Sequence, residues 1–339
     1  MKLSPKRWRL SAIALLTALS TLFLMNPPAY ASQPGEGTNW EYETAGGTLI
    51  QTYSALAEER SPDSNVLIQV WRSRQSTVAV SVNHGPRFDL PGATTYAPPQ
   101  VVVERDSGST ATFRVFHTGT DGHVYYGSVS ARASDQNPSA HGLWAQVPGE
   151  VVTPTTFAVA VTEGPNGGAY LAYRGANSRE VWRTYFDGTS WDAVHTIPGV
   201  ATDHAPRMRA LWGGWRTTHF FDTAFNMIYI GADHRVNVIR QTPGHGDWWG
   251  HEVLGEMVGD ESAEVAISST GQGQVAVRHG TQVALTTINH NGGWQGAWDM
   301  ENTGHVAVAI FLVAYQYRGY LIAQSSNGYV EWKPSRQFT

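Results

Sequence analysis

The stretch Ala169-Tyr170-Leu171-Ala172-Tyr173-Arg174-Gly175, then Glu180-Val181-Trp182-Arg183-Thr184-Tyr185, Asp187-Gly188-Thr189-Ser190-Trp191 and Ile197-Pro198-Gly199, reads as one unit of short strands. Two apolar and aromatic runs flank a turn at Ala176 to Arg179. Asp187-Gly188 is a hairpin signal, because both residue types accept the left-handed backbone of a tight reversal. Trp191 follows that turn, Ile197-Pro198-Gly199 comes next, and an apolar run at Arg207 to Leu211 closes the unit. Each run is strand-length, and no capped segment with a 3.6-residue apolar period competes with this reading.

The same order recurs along the chain. Val70-Trp71-Arg72 leads to Val78-Ala79-Val80, Phe88 and Leu90-Pro91-Gly92. Val115-Phe116-His117 leads to Val124-Tyr125-Tyr126, Trp144 and Val147-Pro148-Gly149. Tyr229-Ile230-Gly231 leads to Val236-Asn237-Val238, Trp249 and Leu254-Gly255, and Ala276-Val277-Arg278 to Val283-Ala284-Leu285 and Trp294. Gly92, Gly149, Gly199 and Gly255 fall 57, 50 and 56 residues apart. That is slightly longer than the roughly 40–50 residues usual for a propeller blade. The longest interval holds Ala131 to Ala140, a polar stretch that reads as an extended hairpin loop.

The two ends complete each other. Leu321-Ile322-Ala323-Gln324 and Tyr329-Val330-Glu331-Trp332 read as the first two strands of a last unit, after which the chain stops. Gly37-Thr38-Asn39-Trp40 with Gly46-Gly47 matches Gly188-Thr189-Ser190-Trp191 with its downstream glycine and supplies the missing half. A ring closed by one repeat built from both ends has no exposed sheet edge. A linear array has no reason to split a repeat. The expectation is an all-β chain, a β-propeller of six blades, with five or seven left open by the divergence of the last two units. The apolar run Val306 to Ala314 reads as a buried strand. Residues 32–339 form a single propeller domain.

Ahead of it, Lys2, Lys6, Arg7 and Arg9 precede the apolar stretch Leu10 to Met25, and Ala29-Tyr30-Ala31 fits a signal-peptidase site. Residues 1–31 are therefore expected to be a signal peptide and the protein to be secreted. A membrane anchor is disfavoured by the short apolar stretch and by Pro27-Pro28. The leader holds four of the 23 basic residues and none of the 28 acidic ones, so its loss makes an already acidic chain more so. No Lys/Arg cluster occurs elsewhere, which argues against nucleic acid and anionic membranes as partners. The chain has no cysteine, and at 339 residues it can bury a core without disulfides.

Aligning the repeats puts Arg72, His117, Arg174, Gly231, Arg278 and Gln324 in one column, beside an aromatic column of Trp71, Phe116 and Tyr173. Such arginines either bond a neighbouring blade's carbonyls or line clefts where they offer forked donors to hydroxyls or a carboxylate. Trp40, Trp144, Trp191, Trp249 and Trp294 follow hairpin turns, and Tyr125 and Trp182 share a column. Rings of this kind either wedge adjacent blades apart or stack on the C–H face of a sugar. The ligand-binding candidates are Arg72, Arg174, Arg278, Tyr125, Trp182 and Trp191, and the ligand class is a glycan. His245, Asp247, His251 and Glu252 crowd one loop, but ordinary loops carry the same residues and no metal is expected. No His-Glu-x-x-His, Gly-x-Ser-x-Gly or phosphate-loop motif occurs, so no catalytic residue is assigned and no cofactor is expected.

The run Tyr173-Arg174-Gly175, Val181-Trp182, Asp187 to Trp191 and Ile197-Pro198-Gly199 resembles the repeat of bacterial sialidase-like and fucose-lectin-like propellers. The resemblance implies a six-bladed ring that binds sugar between blades through an arginine, an acidic residue and aromatics. Arg72, Arg174 and Arg278 would be the arginines; the acidic partner is unplaced. A sialidase would need a Ser-x-Asp-x-Gly-x-Thr-Trp box, which is absent. Carbohydrate binding is the leading expectation, with a sialidase-type glycoside hydrolase or a protein-binding propeller as alternatives.

Overall fold

The computed structural model describes residues 41–337, apart from 43, 53, 135–137, 211–224, 242–247, 261–262, 268–272, 281, 289–293, 295, 302–306, 316–317 and 326–329. The expected leader, Trp40, His245 and Asp247 lie outside the described residues.

The described residues form an all-β chain whose one helical element is the short turn Pro165–Gly167. Six four-stranded antiparallel sheets are present among them, each pairing its strands in order. Sheet I comprises Ala57–Arg60, Leu67–Arg72, Thr77–Val82 and Phe88–Thr94. Sheet II comprises Gln100–Asp106, Thr110–Thr118, Val124–Arg132 and Ser139–Gln146. Sheet III comprises Ala160–Glu163, Ala169–Arg174, Glu180–Phe186 and His195–Ala201. Sheet IV comprises Arg207–Ala210, Phe225–Ile230, Arg235–Gln241 and Trp248–Val258. Sheet V comprises Ala263–Ile267, Gly273–His279, Gln282–Ile288 and Asp299–Glu301. Sheet VI comprises Ala307–Tyr315, Arg318–Ser325, Val330–Gln337 and, from the other end of the chain, Glu41–Tyr42.

The first strand of each sheet touches the first strand of the next, and that of sheet VI touches that of sheet I. Sheet VI is closed by Glu41 opposite Trp332 and Tyr42 opposite Glu331. The split repeat read from the sequence is therefore present, with one correction. Leu321 to Gln324 and Val330 to Trp332 are the second and third strands of their sheet, because Ala307–Tyr315 lies inside them. The same shift applies throughout: Arg207–Ala210 does not close the sheet before it but opens sheet IV, paired with Phe225–Ile230. A repeating sequence has no intrinsic starting point, and the repeat quoted above spans the step from one sheet to the next.

Burial explains the composition of each strand. In sheet I the second and third strands are buried along almost their whole length, so Leu67–Arg72 and Thr77–Val82 are rich in apolar residues. The fourth strand Phe88–Thr94 buries only Leu90 and Ala93 of its central residues and carries Pro91, which a sheet edge tolerates because no ladder donor is lost there. Separate apolar clusters fill the spaces between neighbouring sheets. Phe113 and Val115 pack towards sheet I, Phe116 and Val124 towards sheet III, and Ile228 and Val236 towards sheet V. Each such side chain contributes about 1.5–3 kcal/mol relative to an exposed one.

The linkers repeat a small device. Thr52, Thr95 and Thr202 each fold a hydroxyl back onto the residue two positions on, accepting its N–H at 3.0, 3.0 and 2.9 Å. These hydroxyls satisfy backbone groups that turning the chain from one sheet to the next would otherwise bury unpaired.

First strands also place ionisable groups inside the ring. Arg209 of sheet IV reaches Glu59 of sheet I at 3.6 Å, and Arg207 pairs with Glu264 of sheet V. Glu163 of sheet III accepts the Val103 N–H at 3.4 Å; burial, reinforced by Glu59, pushes its pKa up to about 8. Sheets I and IV, three apart in the order of the chain, are thus brought into contact by Arg209 and Glu59.

Candidate functional site

Strand register decides which side chains share a cleft. Arg72 lies opposite Val78, Arg174 opposite Val181 and Arg278 opposite Val283, so the three arginines are equivalent. Opposite the matching Val124 and Val236 stand Thr118 and Ile230, not His117 and Gly231 as the sequence alignment has it. A slip of one residue moves a side chain to the other face of its strand. The arginines thus occupy alternate sheets I, III and V, and Gln324, opposite Val330, keeps its place in sheet VI. The aromatic column is corrected in the same way to Trp71, His117 and Tyr173, opposite Ala79, Tyr125 and Trp182.

All three arginines are half-exposed, and two of them, Arg72 and Arg174, bond carbonyls. Arg72 donates from Nη1 to the Tyr96 carbonyl at 3.0 Å and from Nη2 to Ser76 Oγ at 3.2 Å, with its guanidinium 5.5 Å from the Tyr96 ring centroid. Arg174 donates from Nε to the Thr202 carbonyl at 3.0 Å and lies 5.3 Å from the Phe157 ring. Its two terminal nitrogens have no acceptor among the described residues. Arg278 is half-buried, and its carbonyl accepts the Asp260 N–H at 3.1 Å. The fully structural arginine, Arg114, was missed from the sequence. It bridges Glu104 at 3.0 Å and the Gly167 carbonyl at 2.7 Å, 4.3 Å from the Phe186 ring.

Most aromatic candidates lie in the seams between sheets. Tyr125 stacks on His117 with centroids 5.5 Å apart and donates to Asp121 at 2.7 Å. His117 is 3% exposed, and burial pushes its pKa down to about 4, so it is neutral. Trp144 meets that histidine edge-on at 4.6 Å and donates to the Pro91 carbonyl of sheet I at 2.9 Å. Trp182 is half-buried over the turn at Gly175. Trp191 packs against Phe116 and Tyr126 of sheet II, at 6.4 and 5.4 Å. Trp294 sits directly over Gly255 of sheet IV. His251 is held by the Tyr229 hydroxyl at 2.5 Å and Glu252 by Arg240 at 3.3 Å.

A cleft absent from the sequence reading lies between the closing end of the ring and sheet I. Its volume is about 500 Å³, and Leu49, Ile50, Gln51, Trp71, Arg74, Gln75 and Arg87 are among its lining residues. Glycine makes it: the hairpin pairing Thr44-Ala45 with Thr48-Leu49 turns at Gly46 and Gly47, both at positive φ. Gly46 donates to the His84 carbonyl at 2.7 Å, and a Cβ there would stand 3.0 Å from Pro86. Arg87 is fixed by Asp89, which accepts from Nη2 at 2.6 Å and Nε at 3.1 Å. The cleft thus offers the exposed side chain of Leu49 beside two guanidiniums and two amides, over a floor of the buried Trp71 and Ile50, a combination suited to a polar ligand with a small apolar patch. Gly46-Gly47 was the visible signal, but sequence alone does not show that this hairpin leans on residues 84–87.

No family model matches the chain, and no curated protein matches it. Solved structures do share its fold. AofleA from Arthrobotrys oligospora has a TM-score of 0.61 at 12% identity, over 91% of this chain and 90% of that one. The Aleuria aurantia lectin, solved with α-methyl-L-fucoside and described elsewhere as a six-bladed β-propeller, has a TM-score of 0.59 at 12% identity, over 85% and 96%. A glucose dehydrogenase is similar at a TM-score of 0.51 and 11% identity, over 88% and 99%. The chain has the β-propeller fold, and the fold alone does not choose between binding and catalysis.

Proposed function

We propose that this chain is a secreted, six-bladed, carbohydrate-binding propeller that takes its ligand in clefts between sheets. The observation carrying this reading is the 500 Å³ cleft beside sheet I, where Trp71, Leu49 and Ile50 face the same space as Arg74, Arg87, Gln51 and Gln75. Sugar rings have both an apolar face and directional hydroxyls, and few other ligand classes need both kinds of wall at once. Several solved propellers of similar fold are lectins, among them the BP39L lectin from Burkholderia pseudomallei (TM-score 0.54). Arg174 is the best of the further positions, since its terminal nitrogens have no acceptor among the described residues and lie beside the Phe157 ring. Arg72, Arg278, Tyr125, Trp182 and Trp191 complete the set.

The test is a glycan array on residues 32–339, beside a hydrolase substrate panel. Binding without sugar release is the expected result; release at catalytic turnover replaces the lectin with a glycosidase, and silence in both removes the carbohydrate reading. Arg174→Ala, assayed with the same probes, should weaken binding while leaving the melting temperature nearly unchanged. A lowered melting temperature with unchanged affinity would make Arg174 part of the scaffold.

A further inference from the structure

We infer that the seam between sheets I and II and the seam between sheets III and IV take different saccharides, and that one linker residue decides which. Tyr96 gives the first seam a ring to stack on, and Asp203 gives the second a carboxylate to accept hydroxyls. This rests on the carbohydrate reading above and divides it between two sites. The two seams match position by position. Arg72 and Arg174 share one register position. Beyond each of their sheets the linker turns on a threonine, Thr95 or Thr202, which accepts the N–H two residues on at 3.0 or 2.9 Å. The same threonines donate their own N–H to the hairpin carbonyls of Ser76 and Arg179, both at 2.8 Å. Tyr96 and Asp203 therefore hold one place in the two linkers, and Ser76 and Arg179 one place in the two hairpins.

The chemistry at those places differs. At the first seam Tyr96 is 45% exposed, so its ring is not part of the core. Its carbonyl accepts from Arg72 Nη1 at 3.0 Å, and Nη2 of the same guanidinium donates to Ser76 Oγ at 3.2 Å. The guanidinium also lies 5.5 Å from the Tyr96 ring centroid. Pro98 and Pro99 follow, each with its φ fixed by the pyrrolidine ring. An aromatic ring displayed on so constrained a backbone loses little freedom on binding, and its face suits the C–H face of a pyranose. At the second seam Arg179 Nε meets Asp203 Oδ1 at 2.7 Å, and neither place carries a ring. A carboxylate there accepts short, directional hydrogen bonds from hydroxyls in place of stacking. Tyr53 follows Thr52 as Tyr96 follows Thr95, but it lies outside the described residues, and sheet VI carries Gln324 where sheet I carries Arg72.

The experiment runs residues 32–339 and three variants, Tyr96→Ala, Tyr96→Phe and Asp203→Ala, over one printed array of neutral mono- and oligosaccharides in a concentration series. Two sets of glycans are expected. Tyr96→Ala should weaken one set by about tenfold, the worth of one stacked ring. Tyr96→Phe, which keeps the ring, should bind that set as the parent does. Asp203→Ala should weaken the other set and spare the first. Tyr96→Leu, which keeps apolar bulk without the ring, takes the place of Tyr96→Ala should that variant fail to fold. Loss of the same glycans in Tyr96→Ala and Asp203→Ala, or loss in one of them alone, overturns the division between seams and leaves the carbohydrate reading intact. An array unchanged by either variant does the same. Equal loss in Tyr96→Phe and Tyr96→Ala makes the hydroxyl the contact and overturns the stacking assignment. A parent that binds no glycan on the array overturns both readings.

Discussion

Gly92, Gly149, Gly199 and Gly255 recur at the same step of four sheets, and replacing each by alanine separates two costs that usually arrive together. All four have positive φ, at 75, 87, 75 and 69°. An L-residue in that region costs about 1–2 kcal/mol, and the reduced freedom of the unfolded chain adds a further 0.4–1 kcal/mol or so of compensation. The backbone part should therefore be similar, about 1 kcal/mol, at every site. Surroundings differ. A Cβ at Gly199 meets nothing within 4 Å; at Gly92 it comes 3.8 Å from Trp144, at Gly149 3.0 Å from Val194, and at Gly255 2.5 Å from the Trp294 ring. The last distance forces a half-buried indole to move, and overpacking of that kind costs about 1–3 kcal/mol more. Destabilisation should rise in the order Gly199, Gly92, Gly149, Gly255, from about 1 to about 2–4 kcal/mol. At roughly 2 °C per kcal/mol in a chain of this size, melting temperatures followed by near-ultraviolet circular dichroism should separate the extremes. Four equal shifts would refute the claim that Trp294 seats on the glycine of the preceding sheet. Gly255→Ala melting no lower than Gly199→Ala would refute it as well.

Two further outcomes follow from the ring. Glu163 holds its proton up to about pH 8, against 4.5 ordinarily. The folded chain therefore binds the extra proton between those values, and stability falls as pH rises through that window. Glu163→Gln, which imitates the protonated form, should gain stability over the parent towards pH 8 and show little gain below 4.5; denaturant curves that run parallel at all pH values would contradict it. Deleting Leu321 to Thr339 removes the third strand of sheet VI and all but Arg318–Tyr320 of the second, leaving Glu41–Tyr42 and most of Ala307–Tyr315 without ladder partners. That truncation should abolish cooperative melting near the intact temperature, and an unchanged calorimetric transition would show that the seam is dispensable.

The repeat was legible because the same chemistry recurs wherever the same environment recurs. Asp187-Gly188 marks a hairpin, Pro91 and Pro198 mark edges where no donor is needed, and both gave the strand order. The face of each strand was less legible. His117 and Thr118 are adjacent, and either could align with Arg174; only the pairing of Thr118 with Val124 decides it. The first strands escaped the repeat for a related reason: Ala160–Glu163 and Arg207–Ala210 are short, and their charged members answer to partners across the ring, not to local period. The cleft was illegible because its two walls, residues 45–51 and 71–87, meet only when the hairpin at Gly46 leans on residues 84–86, a contact that no local period announces.

The seam that joins those ends also sets an order of events during synthesis. Glu41 and Tyr42 are synthesised long before their partners Trp332 and Glu331, which follow far along the chain. Until then the nascent chain is an open arc, with sheet I lacking its neighbour and sheet VI lacking a strand. Pairings across so long a separation form late, since loop closure must precede any gain from contact. In the interval an unpaired strand edge can accept a strand from a second copy as readily as from its own chain. Two arcs that exchange their ends would regain the same strand pairings, so a high concentration during folding should favour exchange, whatever the contacts of the finished molecule.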